Sequence, residues 1–129
     1  MTEAAVIVAT LEAVAERGGD PGPDIYRRLF AMYPDYERLF VMDRDGGVRG
    51  SMLQQGLECI LDHVGERRFA AQIISAERAR HDGYGVSEDL FDGFFVAMRD
   101  TFHDIMGEDW SPAMERAWAD LLAEFAAIR

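Results

Sequence analysis

The spacing of its apolar residues constrains the fold of this chain more than any other feature. Apolar side chains recur at intervals of three and four along most of the sequence, whereas a half-buried strand would alternate them at intervals of two. This pattern predicts an all-α protein of six or seven packed helices. No repeat, low-complexity segment or linker interrupts the 129 residues, so we expect residues 1–129 to form a single domain.

Turn residues set the limits of the predicted helices in the first two thirds of the chain. Gly18-Gly19 ends the first helix and Pro34 stops the second, which Asp20 or Asp24 can cap. The stretch that carries Leu39 and Phe40 is predicted to be short and irregular, and Asp43 to Gly50 to be a loop. The four helices are predicted over about Glu3–Arg17, Ile25–Tyr33, Ser51–Val64 and Arg67–Arg80.

The last third carries the clearest helix signals. Ser87 is the predicted N-cap of a long helix that Gly107 ends, and Ser111-Pro112 starts the final helix as cap and first-turn proline. The residues that we expect to face inward are Leu90, Phe91, Phe94, Phe95, Met98, Phe102, Ile105 and Met106 in the long helix, and Met114, Trp118, Leu121, Leu122 and Phe125 in the final one.

The charge balance excludes several classes of partner. A net charge of −11 argues against binding to nucleic acid and to anionic membrane surfaces, because both repel an acidic protein. Arg78 and Arg80 are the candidates for a local basic patch. The single cysteine, Cys59, the lack of a basic signal-peptide region after Met1 and the lack of a membrane-length apolar run lead us to expect a cytoplasmic protein.

His81 is the strongest candidate for a chemical role. The sequence contains no lysine, no zinc-site spacing and no phosphate-binding glycine motif, which removes several classes of enzyme. His81 lies at the end of a predicted helix, just before the glycine-rich turn Asp82-Gly83-Tyr84-Gly85-Val86. A histidine at a helix end is more commonly a surface residue that offsets the helix dipole. We assign His63 and His103 structural or surface roles.

From His81 onward the chain resembles the bacterial globins of the single-domain and flavohaemoglobin kind. That family places its iron-binding histidine before a turn ending in Gly-Val, here Gly85-Val86, and a long helix follows that ends in glycine, here Gly107. The final helix of the family carries a tryptophan, here Trp118. Each motif is short, so the joint spacing over nearly the whole chain carries the resemblance. The upstream landmarks are Tyr26-Arg27-Arg28-Leu29-Phe30, Pro34 and Leu39-Phe40.

This resemblance implies a globin-like fold with haem b as cofactor. His81 would be the proximal ligand and metal-binding residue, because a neutral imidazole is a good ligand for haem iron. Phe40 would pack against the porphyrin, and Tyr26 would donate a hydrogen bond to a bound gas. The other expected haem contacts on the proximal side are Tyr84, Val86 and Phe91.

The register of the distal helix stays open. The match that we prefer places Gln55 over the iron, with Met52 and Cys59 facing inward. A second register places Met52 over the haem. A third places Leu53 there and makes the distal pocket largely apolar.

Two departures from the family bear on the proximal side. Glu77 stands where the family usually has an apolar residue under the haem, and a carboxylate is costly there if it is buried without a partner. Either it turns outward toward Arg80 or Arg78, or this pocket differs from that of the family. Phe91 replaces the family's tyrosine, and the glutamate of the same network would fall beyond Arg129. The resemblance therefore implies a more neutral proximal imidazole.

The function implied by the resemblance is reversible binding of dioxygen, or of another diatomic gas such as nitric oxide or carbon monoxide. Oxidation of nitric oxide would require a separate reductase, since the sequence has no flavin or nicotinamide domain. The alternative is a haem-free globin-fold protein that acts as a sensor or protein-interaction module. Exposed faces of the last two helices could pair in a homodimer.

Overall fold

Six α-helices and two short 3₁₀ helices make up the computed structural model, which describes residues 1–129. The all-α prediction is confirmed. The 3₁₀ helices cover Pro34–Phe40 and Gly107–Asp109. The α-helices are α1 (Glu3–Gly18), α2 (Gly22–Met32), α3 (Gly47–Val64), α4 (Ala70–Gly83), α5 (Glu88–Met106) and α6 (Pro112–Ala127).

Capping side chains and glycines fix the helix ends much as the sequence predicts. Ser87 and Ser111 accept hydrogen bonds from Leu90 N and Met114 N, which caps α5 and α6. Asp20, rather than Asp24, accepts from the backbone N–H of Gly22 at the start of α2. Gly107 ends α5 with a φ of 54°, which most other residues adopt only at a cost.

Four predicted boundaries were wrong. Helix α2 begins at Gly22 rather than Ile25, and α4 ends at Gly83 rather than Arg80. At the other two, an aspartate a few residues upstream caps the helix. The predicted loop from Asp43 to Gly50 ends early, since the Asp43 carboxylate accepts hydrogen bonds from Val48 N and Arg49 N and lets α3 begin at Gly47. The helix predicted from Arg67 begins at Ala70, where Asp62 at the end of α3 accepts from three successive backbone N–H groups. Arg67 has a φ of 55° in the turn between them.

The core lies where α1, α2, α5 and α6 meet. Trp118 of α6 is fully buried and meets Phe102 of α5 edge to face, with 5.5 Å between the ring centroids. Helices α3 and α4 pack beside this group, and α4 carries His81 near its C-terminal end. None of the helices has the length and apolar character needed to cross a bilayer.

Candidate functional site

His81 is held in one ring orientation by the helix that carries it. Its Nδ1 lies 2.7 Å from the backbone carbonyl oxygen of Glu77, one turn earlier in α4. A carbonyl oxygen only accepts hydrogen bonds, so Nδ1 must carry the hydrogen. The neutral ring therefore has its lone pair on Nε2, which is the arrangement that a metal ligand needs. The side chain is 24% exposed.

The Glu77 carboxylate turns toward Arg80. Its two oxygens lie 2.8 and 2.9 Å from one guanidinium nitrogen of Arg80. The carboxylate is nevertheless only 18% exposed, and one of its oxygens is 3.5 Å from Nδ1 of His81. Glu77 is therefore both one half of an ion pair and a neighbour of the imidazole.

A row of aromatic rings connects His81 with Tyr26 across α5. The His81 ring meets Phe91 edge to face at 5.4 Å between centroids, and Phe91 lies 6.3 Å from Phe95. Phe95 meets Phe94 at 5.5 Å, and Phe94 lies 5.7 Å from Tyr26 of α2. The structure thus places the predicted proximal and distal residues at the two ends of one aromatic cluster.

Tyr26 is buried, with 5% of its surface exposed, and its hydroxyl has a partner within the protein. The hydroxyl donates to the backbone carbonyl of Arg49 in α3 over 2.8 Å. Burial raises the pKa of Tyr26, so the phenol keeps its proton at neutral pH. The hydroxyl is thus a donor, but its hydrogen already joins α2 to α3.

Phe40, at the end of the first 3₁₀ helix, packs against α2. Its ring centroid lies 5.8 Å from that of Tyr26 and 5.4 Å from that of Phe30. The next two residues, Val41 and Met42, are 72% and 81% exposed. The corner that carries Phe40 therefore presents apolar surface beside the aromatic cluster.

The predicted distal residues take different environments on α3. Cys59 is buried, Met52 is partly buried and Gln55 is exposed. Burial, together with the nearby carboxylates Asp62, Glu58 and Glu77, raises the pKa of the Cys59 thiol to about 11. Helix α3, which carries these residues, packs against α4.

Leu53 faces another way. A methyl group built on Gly22 of α2 would lie 3.4 Å from a terminal carbon of Leu53, so Leu53 packs against α2. This position disfavours the register that places Leu53 over a haem. The choice between the registers with Gln55 and with Met52 over the iron stays a prediction.

The turn after α4 separates its two predicted contact residues. Val86 is buried, and its backbone N–H donates to the carbonyl of His81 over 3.0 Å. Tyr84, which follows α4 as its C-cap residue between two glycines, is 70% exposed. The structure does not bring Tyr84 into the cluster with the other predicted residues.

Arg78 is a buried residue whose role the sequence analysis missed. Its guanidinium, 7% exposed, lies 2.9 Å from Asp92 of α5 and donates to the carbonyls of Phe125 and Ile128 at the end of α6. It also lies 4.7 Å from the centre of the Phe91 ring. Arg78 joins three helices behind the His81–Phe91 pair and is not available for a surface patch. No local pattern distinguishes it from the exposed Arg80.

The other histidines have structural or surface environments. His63 is buried and pairs with Glu124 of α6, with 2.5 Å between Nε2 and Oε2. The side chain of His103 is 51% exposed on α5. A surface cleft of about 500 Å³ between α2 and α5 contains none of the predicted site residues.

The donor chemistry at His81 fits a haem group. One imidazole offers a single iron ligand, and its Nδ1 bond leaves Nε2 able to serve as that ligand. Phe91 lies against one side of the ring, and exposed apolar residues lie at the Phe40 corner. The fit to haem therefore rests on the ligand chemistry of His81 and on these apolar neighbours.

Comparison with known proteins identifies the family. The globin family model matches residues 23–128, which is most of the chain. The chain belongs to the globin family. Membership implies a haem cofactor, and the helical architecture described above is that of a globin.

Two plant relatives resemble this globin over most of their length. The chain is 23% identical to "Anaerobic nitrite reductase HBII" of Casuarina glauca over 136 residues, covering 95% of the chain and 85% of the relative. It is 26% identical to "Anaerobic nitrite reductase NSHB5" of Oryza sativa subsp. japonica over 106 residues, covering 79% and 73%. The comparisons thus support the globin family, while the narrower bacterial subtype stays a prediction.

Proposed function

We propose that this globin binds haem through Nε2 of His81 and reversibly takes up dioxygen or another diatomic gas such as nitric oxide. The observation that carries the proposal is the hydrogen bond from Nδ1 of His81 to the Glu77 carbonyl, which leaves Nε2 as the free ligand nitrogen. Haem b, when bound, would supply an iron that takes up a gas on the face opposite the imidazole.

The residues around His81 would hold the imidazole for that purpose. The Glu77 carbonyl fixes the tautomer, and the edge-to-face contact with Phe91 limits rotation of the ring. Arg78, buried behind Phe91, keeps α4, α5 and α6 in register through its contacts with Asp92 and the end of α6. His81 is therefore preorganised, so little ordering cost remains to be met on binding.

On the distal side, Tyr26 is the proposed hydrogen-bond donor to the gas. Because its hydroxyl hydrogen is directed at the Arg49 carbonyl, Tyr26 must give up that bond before it can donate elsewhere. The exchange costs about 1 kcal/mol, a typical net value for one hydrogen bond. Phe40, Met52, Gln55 and Cys59 are the proposed neighbours of the haem, with Gln55 over the iron in the preferred register.

The proposal is tested by adding haem to the purified protein. We expect a sharp Soret band at one equivalent, and changes in the reduced protein on adding carbon monoxide, dioxygen or nitric oxide. His81→Ala should lose the sharp band. The matched control is His103→Ala, which removes an exposed histidine of α5 and should leave the spectrum unchanged. A wild-type protein without a Soret band, or a His81→Ala variant that keeps it, contradicts the proposal.

A haem-free role is the second candidate. The Tyr26 hydroxyl is satisfied inside the protein, and the poorly exposed Glu77 carboxylate lies where a haem would prefer apolar contact. A globin fold with a closed interior could instead act as a sensor or through protein contacts. The titration described above separates the two candidates, because only the first predicts a stoichiometric spectral change.

The names of the plant relatives suggest nitrite as a further substrate of the same site. Reduction of nitrite to nitric oxide consumes one electron and two protons and releases water, so it would need a reductant such as a separate reductase. Anaerobic mixing of the reduced, haem-loaded protein with nitrite should release nitric oxide. The His81→Ala variant, treated in the same way, gives the background rate.

A further inference from the structure

We infer that Glu77 is a positioning residue of the proximal site, whose carboxylate tunes how strongly His81 donates electrons to a bound haem iron. This inference rests on the proposed function. It concerns a residue that stands where the resemblance leads one to expect an apolar side chain. The resemblance to the family predicts a more neutral imidazole. With the Glu77 carboxylate of α4 beside the ring, we expect a less neutral one.

The first step is the arrangement of Glu77 around the His81 ring. The residue contacts Nδ1 twice: its backbone carbonyl oxygen lies 2.7 Å away and its carboxylate oxygen 3.5 Å away. The backbone contact is the hydrogen bond, and the carboxylate adds a negative charge beside the same N–H. No other acidic side chain lies within 4.0 Å of the ring nitrogens.

The second step is burial. The Glu77 and His81 side chains are only 18% and 24% exposed, so water screens their interaction less than it would screen a surface pair. A negative charge near Nδ1 favours positive charge on the ring, which makes Nε2 a stronger donor. A stronger donor stabilises ferric over ferrous iron.

The third step is the opposing charge of Arg80. Its guanidinium contacts both oxygens of the Glu77 carboxylate, but its side chain is 64% exposed and therefore well solvated. Arg80 offsets part of the negative charge that His81 experiences. The donor strength of His81 is thus set by two charges of opposite sign, and removing them one at a time should shift it in opposite directions.

A purely structural ion pair is the competing explanation. Glu77 and Arg80 are three residues apart on a helix, where such pairs are common and contribute a few tenths of a kcal/mol to helix stability. A pair of that kind would leave the iron–histidine bond unchanged. The two explanations therefore predict different iron–histidine stretching frequencies, whereas a measurement of stability would not separate them.

The test compares haem-loaded wild type with Glu77→Gln and Arg80→Gln. The measurements are the ferrous iron–histidine stretching frequency, by resonance Raman spectroscopy, and the ferric/ferrous midpoint potential. We expect Glu77→Gln to lower the frequency and raise the potential, and Arg80→Gln to do the reverse. The control is Glu66→Gln, which removes the same charge from an exposed pair with Arg68 and should change neither value.

Each outcome supports or overturns the inference. Opposite shifts in the two variants support it. A Glu77→Gln variant that binds haem with the wild-type frequency, or two variants that shift in the same direction, overturns it and leaves the proposed function standing. If Glu77→Gln fails to fold, the Arg80→Gln variant, which changes an exposed side chain, still shows whether the stretching frequency rises and the midpoint potential falls. A wild-type protein that takes up no haem overturns both this inference and the proposed function.

Discussion

At the scale of single residues, two of the proposed functional side chains already donate hydrogen bonds within the protein. Tyr26, the proposed distal donor, already donates to Arg49, and His81 already donates to Glu77. The two bonds have different consequences. The bond from His81 leaves the proposed ligand nitrogen, Nε2, free, whereas the bond from Tyr26 uses the hydrogen that its proposed role requires.

Replacing Tyr26 by phenylalanine separates its two roles. Tyr26→Phe keeps the buried ring and removes the bond to the Arg49 carbonyl, so we expect a loss of about 1 kcal/mol in the free energy of unfolding. If Tyr26 also stabilises a bound gas, the dissociation rate of dioxygen should rise. Denaturant unfolding measures the first effect and stopped-flow mixing the second.

Tyr33→Phe is the matched control for that experiment. Its hydroxyl donates to the Asp89 carbonyl over 3.2 Å in an exposed setting, so its loss should cost less and leave gas dissociation unchanged. Equal dissociation rates in Tyr26→Phe and the wild type would assign Tyr26 a structural role only.

At the scale of helices, α3 and α4 both begin at residues other than predicted, and an aspartate caps the start of each. Burial by itself would raise the pKa of Asp62, but hydrogen bonds from the backbone N–H groups of Phe69, Arg68 and Ala70 lower it below its usual value of 3.8. The ionised carboxylate is also favoured by the positive end of α4. Asp43 does the same for α3, where the backbone N–H of Val48 contributes most to its lowered pKa.

The lowered pKa of Asp62 predicts a pH-dependent contribution to stability. A group whose pKa falls on folding stabilises the native state above its unfolded pKa, and this contribution disappears as the pH drops through the folded value. Asp62→Asn should therefore be less stable than wild type at pH 7, and the difference should shrink below pH 3.8. Urea unfolding at several pH values measures that difference. A difference that stays constant or grows in acid contradicts the assignment.

Two glycines of α3 differ in how close they lie to other residues, so replacing each by alanine shows how closely α3 must approach α5. A methyl group on Gly56 would lie 3.2 Å from the Phe94 ring and 3.5 Å from Met98, whereas one on Gly50 meets nothing within 4 Å. Gly50→Ala should stabilise the protein by about 0.5–1 kcal/mol through helix propensity. In Gly56→Ala the overpacking, which costs about 1–3 kcal/mol, should outweigh that gain.

Thermal or urea unfolding of the two alanine variants measures this contrast. Equal stabilisation by both would mean that α3 can move away from α5 without cost.

At the scale of the whole molecule, haem binding should be coupled to folding. A ligand that binds only the native state adds to the free energy of unfolding, by about 2.7 kcal/mol when its free concentration is one hundred times the dissociation constant. Haem should therefore raise the unfolding midpoint of the wild type but not that of His81→Ala. A midpoint that haem leaves unchanged in the wild type would favour the haem-free alternative.

Local sequence patterns were sufficient to predict the class of the fold and most of its helix ends. Apolar spacing gave the all-α class, and Ser87, Ser111 and the glycines marked the ends, because these signals act within a few residues of the chain. The role of His81 stays a prediction, which the resemblance to the globins implies from the spacing of His81, Gly85-Val86 and Trp118.

Contacts between distant residues were decided only by the tertiary structure. The caps that Asp43 and Asp62 provide, the burial of Arg78 beside an exposed Arg80, and the bond from Tyr26 to Arg49 all depend on how helices pack. The carboxylate of Glu77 differs from these cases, because its position one turn before His81 on α4 follows from the sequence spacing and only its side-chain conformation needed the structure. Local propensity specifies which segments become helices, but the partners of a buried polar group are fixed only when those helices exclude water together.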